Sequence, residues 1–150
     1  MWNAYTDAYT KGDIKWIDQT FNRALKLWLL SVCGGIVMLF GCQYFYHIWI
    51  GNKVLVPFTV SLSTFIYVSF FNLNNCVTYL INGLNKIRIQ IITSLVITAT
   101  YVLTIMSMGK QLGIEGIVLC MAASYAVMSL IHLYQCKLLI KGKATGIWNK

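Results

Sequence analysis

Four long stretches of the chain carry no Asp, Glu, Lys or Arg: Leu27 to Ile50, Val54 to Ile81, Ile89 to Met108 and Gly116 to Cys136. Each meets or exceeds the roughly 20 apolar residues that a helix needs to cross about 30 Å of hydrocarbon. A buried helix of a soluble core seldom reaches that length four times in succession. The runs are continuous, whereas a β-barrel would show segments of about 10 residues alternating between apolar and polar. The pattern therefore predicts an all-α integral membrane protein with transmembrane helices over 27–50, 57–81, 89–108 and 116–136. A basic tail, 137–150, follows.

The first 26 residues read differently. From Lys11 to Trp28 the residues Ile14, Ile17, Phe21, Ala24 and Trp28 recur at helical spacing, with Lys15, Asp18, Asn22, Arg23 and Lys26 on the other side. This predicts an amphipathic helix lying in the headgroup layer and then turning into the membrane. Gly12 followed by Asp13 supplies a stop and a start, because glycine reaches the left-handed conformation that ends a helix and Asp13 caps the next one. Ahead of them, Ala-Tyr-Thr-Asp is followed at once by Ala-Tyr-Thr-Lys, which sets Tyr5 and Tyr9 on one helical face and Ala4 and Ala8 on a neighbouring one. A helix this short is marginal alone in water, so the expectation is that Met1 is an internal methionine and the upstream part of the helix is absent.

Pro57 fits the start of the second span, where a missing N–H does least harm. Gly109 to Gly116, with three glycines, predicts a tight outer turn. Gly116, Cys120, Ala123 and Ser124 form a small-residue strip suited to close helix packing.

Charge sets the sidedness. Of the twelve Lys and Arg, Lys11, Lys15, Arg23, Lys26, Lys86, Arg88, Lys137, Lys141, Lys143 and Lys150 fall on one side of the predicted topology, and only Lys53 and Lys110 on the other. Short loops rich in Lys and Arg stay cytoplasmic, which puts both termini inside. The net charge of +8 is then explained by topology without nucleic acid. Tyr44, Tyr46 and Trp49 at one end of the first span, with Trp16 and Trp28 at the other, suit interfacial anchors. The 58% hydrophobic content and mean hydropathy of +0.67 agree with a membrane protein.

Candidate chemistry is sparse. No charged residue lies within a span, so no carboxylate is placed to couple transport to an ion at depth. The second span alone carries a polar stripe: Ser61, Thr64, Asn72, Asn75, Tyr79 and Asn82 fall within about 80° of one another at about 100° per residue. Such a stripe either lines an aqueous path and hydrogen-bonds sugar hydroxyls, or bonds to neighbouring helices. Asn74, Thr78 and Asn85 on an adjoining face widen the polar surface toward the cytoplasm. Lys86, Arg88, Lys137, Lys141 and Lys143 are candidates to meet a lipid phosphate or pyrophosphate, although topology alone would also put them there. His47 and His132, near opposite ends of their spans, read as interfacial residues. The acids are Asp7, Asp13, Asp18 and Glu115; the first three could in principle hold a metal, but Asp13 caps a helix and the others sit on a solvated face among lysines. Neither paired acids, a Ser-His arrangement nor a phosphate loop is present, so no enzyme activity, metal or cofactor is expected. Cys33, Cys42, Cys76, Cys120 and Cys136 form no Cys-x-x-Cys pair and read as small packed residues.

Three stretches resemble one family. Trp2 to Asp13, followed by a basic amphipathic approach to a span, is similar to the segment between the eighth and ninth helices of bacterial oligosaccharide-lipid flippases, the exporters of O-antigen and capsule repeat units. Tyr79-Leu80-Ile81-Asn82-Gly83-Leu84-Asn85-Lys86-Ile87-Arg88 resembles the short inner loop before the penultimate helix. Leu112-Gly113-Ile114-Glu115-Gly116 is similar to the outer turn before the last helix. The resemblance implies about twelve or more helices in two bundles, related to multidrug extruders, which pass a polyprenyl-pyrophosphate-linked oligosaccharide across the bacterial inner membrane by alternating access. This chain would be the last four helices, partnered by the bilayer, the lipid-linked oligosaccharide and the missing N-terminal part of the same transporter. A small multidrug-type exporter and a membrane-embedded subunit or enzyme of glycan synthesis are the alternatives. The former calls for an embedded carboxylate and the latter for acids or histidines gathered in one loop.

Overall fold

A computed structural model describes residues 1–51 and 56–150; Lys53 and the first residues of the second uncharged run, Val54 and Leu55, lie outside the described residues. The described chain is all-helical: α1 (Trp2–Thr10), α2 (Ile14–Ile50), α3 (Phe58–Gly83), α4 (Arg88–Ile140) and a short 3₁₀ turn (Gly146–Asn149). Two of these, α2 and α4, are long and apolar enough to cross a membrane by length and composition.

Local chemistry sets most boundaries. Gly12 has φ +72°, and the N–H groups of Asp13 and Gly12 close on the carbonyls of Ala8 (2.9 Å) and Tyr9 (3.1 Å), the paired bonds that finish a helix on a left-handed residue. Asp13 then accepts from the Trp16 N–H at 3.0 Å and starts α2. Pro57 caps α3, as its missing N–H allows. At the other end of α3 the left-handed residue is Asn85, with φ +56°, and Lys86 N–H returns to the Ile81 carbonyl at 3.1 Å.

α2 departs from expectation. No turn separates an interfacial helix from a span; the helix runs unbroken for 37 residues, about 55 Å at 1.5 Å per residue. Nothing between Ile14 and Ile50 breaks a helix. Ile17, Phe21 and Ala24 are buried against protein rather than presented to a headgroup layer.

α4 is two rods. Thr93 and His132 lie 39 positions apart, which in a straight helix is about 58 Å, yet their side chains meet at 2.9 Å. The reversal is at Gly113 (φ 62°, ψ −174°), a conformation closed to a residue with a Cβ at ordinary cost. The predicted outer turn over 109–116 is thereby compressed to one residue, and the legs 88–112 and 114–140 extend beyond the predicted spans.

The rods alternate in direction. α2 and α3 are antiparallel, tied by the Trp28 indole N–H to the Ser69 carbonyl (2.8 Å) and by Tyr46 with Ser61 (3.2 Å). The second leg of α4 runs parallel to α3: Thr59 bonds to Glu115 at one end, Ser129 to the Phe70 carbonyl (3.2 Å) midway, and Cys136 to the Val77 carbonyl (3.7 Å) at the other. One end of the bundle therefore gathers α1, the 84–87 loop and the tail.

The buried core sits at that end, where Tyr5, Ile17, Phe21, Val77, Leu80, Ile81, Leu84 and Cys136 pack together. α1 is held by this packing: Tyr5 is 1% exposed, Ala8 is buried, and Thr6 donates to the Gly83 carbonyl at 2.9 Å. Of the paired tyrosines only Tyr5 turns inward, while Tyr9 stays exposed. Elsewhere the outward surfaces are apolar, with Phe40, Trp49 and Met106 each about four-fifths exposed.

Candidate functional site

The polar stripe of α3 faces its seam with α2, where it borders two grooves. Toward the Gly51 end, Ser61 and Thr64 line a groove of about 380 Å³ with Met38 and Phe45; Ser61 shares its hydrogen bond with Tyr46, and Thr64 returns its hydroxyl to the Val60 carbonyl at 2.8 Å. Toward the α1 end, Asn72, Asn75 and Tyr79 line a second groove of about 390 Å³ with Met1, Trp28 and Ser31. The Trp28–Ser69 bond lies between the two. Asn82, half-buried near the end of α3, borders neither. The side chains of Asn72, Asn75, Tyr79 and Asn82 hydrogen-bond to no other described residue, although Asn72 and Tyr79 are exposed and Asn75 is half-buried.

The adjoining face behaves oppositely and corrects two expectations. Asn74 does not widen the polar surface; it is 8% exposed, and its Oδ1 lies 3.0 Å from His132 Nδ1. His132 is not interfacial; it is fully buried, and its Nε2 lies 2.9 Å from Thr93 Oγ1. With Oδ1 facing the ring, Nδ1–H donates to Asn74 and Nε2 accepts from Thr93. One imidazole thus ties α3 to both legs of α4. All three partners sit in the half of the bundle nearer α1, a depth match that needs the rod directions to be known. Beside them the Thr78 hydroxyl is buried without a partner among the described residues. Only Asn85 of that face is exposed, because it forms the turn.

The basic candidates separate into groups. Lys86 Nζ donates to the Asn149 carbonyl (3.1 Å) and the Arg88 N–H to the Lys150 carbonyl (3.0 Å), so both are engaged with the tail, with the Arg88 side chain exposed. Gln135 fastens the same junction through the Lys86 (2.9 Å) and Trp148 (3.3 Å) carbonyls. Lys137 and Lys141 lie apart from these, bordering a groove of about 410 Å³ with Asp18 and Asn22 of α2. Lys143 is exposed in the tail. Near the first group, burial of Tyr5 pushes its phenol up to about 12.

The small-residue strip faces the first leg of α4 without closing on it: Cys120, Ala123 and Ser124 border a groove of about 330 Å³. All five cysteines are free, and no three His, Cys, Asp or Glu among the described residues could hold a metal ion. Comparison of the chain with protein-family models, curated proteins and solved structures gives no match.

Proposed function

We propose that the chain is the C-terminal, four-span part of a bacterial inner-membrane flippase for polyprenyl-pyrophosphate-linked oligosaccharide, with both termini cytoplasmic and no catalytic chemistry of its own. The observation that carries this reading is the α2–α3 seam. Asn72, Asn75 and Tyr79 border an open groove and hydrogen-bond to no described residue, while Asn74 on the same helix is buried and bonded through its Oδ1 to His132. Amides left unpaired in hydrocarbon are costly, so a groove that keeps them fits water or a hydroxyl-rich substrate better than lipid tails. Support for the sidedness comes from one end of the bundle, which collects α1, the 84–87 loop and the tail, and with them most of the Lys and Arg.

The test is complementation. In a strain lacking its repeat-unit flippase, the chain is expressed alone and fused behind the first bundle of a related transporter, and surface polysaccharide and lipid-linked intermediates are measured. The fusion restores surface polysaccharide, and replacing Asn72 and Asn75 with Leu leaves intermediates in the inner leaflet. If no fusion restores export, the reading fails.

A further inference from the structure

A further groove lies between the two legs of α4. It holds about 330 Å³, within the range of small-molecule pockets, and beside Ile97 and two methionines it is lined by Ser94, Thr98, Tyr101, Ser124 and Tyr125. Its hydroxyls are set apart by what they do not bond. On the same legs Thr100, Thr104, Ser107 and Ser124 each return their hydroxyl to a carbonyl one turn back at 2.9 Å, the usual resort of a hydroxyl in an apolar helix. Ser94 and Thr98 have the same recourse and do not take it. The phenols of Tyr101 and Tyr125 also lack a partner among the described residues. Four hydroxyls border one half-open groove and have no hydrogen-bond partner among the described residues.

We propose that this groove is a carbohydrate subsite, taking one or two sugar units of a lipid-linked glycan. A lipid tail filling it would leave all four hydroxyls unpaired, an arrangement that apolar surroundings penalise. A sugar matches both features of the lining: its hydroxyls exchange hydrogen bonds with Ser94, Thr98 and the two phenols, and its C–H face covers the Tyr101 and Tyr125 rings. Tyr125 is held in place for this by edge-on packing against Tyr67 (5.7 Å) and Phe71 (5.3 Å). The subsite rests on the flippase reading for the identity of its ligand but is distinct from the α2–α3 seam, so the two separate experimentally.

The full chain is reconstituted in phospholipid nanodiscs and exposed to a diazirine-bearing dodecyl maltoside, and the photolabelled peptides are mapped by mass spectrometry. Labelling concentrates within 94–101 and 121–128. Unlabelled dodecyl maltoside competes it away and dodecyl phosphocholine does not. The double variant Thr98→Val with Tyr125→Phe, which keeps shape and packing, lowers labelling at least fivefold with an unchanged unfolding midpoint; Ser94→Ala serves as the second variant should the first unfold. Equal competition by the phosphocholine overturns the inference in favour of a lipid-tail groove. Undiminished labelling of the variants also overturns it. Label confined to the Asn72–Tyr79 groove overturns this subsite while leaving the flippase reading intact.

Discussion

Removing the His132 imidazole tests how the rods are joined. His132→Ala deletes two interhelical hydrogen bonds, to Asn74 and Thr93, each worth about 0.6 and at most about 1.7 kcal/mol in a membrane bundle. The void left by an imidazole, roughly 70 Å³ if nothing relaxes, adds about 1.7 kcal/mol at about 24 cal/mol per Å³. The sum is about 3–5 kcal/mol. His132→Gln, which keeps most of the volume and one of the bonds, loses less than half of that. Unfolding of the micelle-bound protein by denaturing detergent, followed by circular dichroism, measures each loss. A double-mutant cycle with Asn74→Ala isolates the pair, with an expected coupling of about 0.6–1.7 kcal/mol. The exposed His47→Ala serves as the baseline, within about 0.5 kcal/mol of wild type. A His132→Ala cost no larger than that of His47→Ala, or zero coupling to Asn74, would refute the three-rod tie.

Three further outcomes are expected. Gly83→Ala sets a Cβ 2.5 Å from the Tyr5 Cβ and 3.2 Å from the Trp2 carbonyl, neither a flexible tip, so α1 loses about 1–3 kcal/mol of docking; hydrogen exchange over 4–10 speeds up tenfold or more while 114–140 is unchanged. Asn85→Val forces a β-branched residue to φ +56° and costs about 1–2 kcal/mol, whereas Asn85→Gly is neutral or stabilising in thermal unfolding. Because the Tyr5 phenol titrates near 12 in the fold against an ordinary 10, its contribution to stability is intact below pH 10 and is lost as pH rises through 12. Tyr5→Phe removes that alkaline loss, and because the hydroxyl is buried without a partner among the described residues it also stabilises α1 docking at neutral pH by up to about 1–3 kcal/mol; proteolysis at Lys11 across the pH range reads both effects.

The sequence by itself determined that the chain is helical and where several helices stop or start, but not that the amphipathic stretch and the first span make one rod. Helix formation follows from uninterrupted apolar composition, and breaks follow from residues whose backbone preferences act within a few positions. Gly12 with Asp13 and Pro57 were legible for that reason, as was the reversal within the glycine-rich 109–116, although not that Gly113 alone would make it. The stripe from Ser61 to Tyr79 was legible because a helix fixes which of its own residues share a face. What the tertiary structure decided is which faces meet. Asn74 and Asn75 are chain neighbours about 100° apart on α3; one is buried in a bond to His132 and the other borders a groove, and no local rule separates them. The pairing of Asn74, His132 and Thr93, the seat of Tyr5 against Gly83 and the unpaired hydroxyls between the legs of α4 all depend on rod direction and depth. Those are properties of contacts between residues 39 to 78 positions apart, which a periodicity of 3.6 cannot encode.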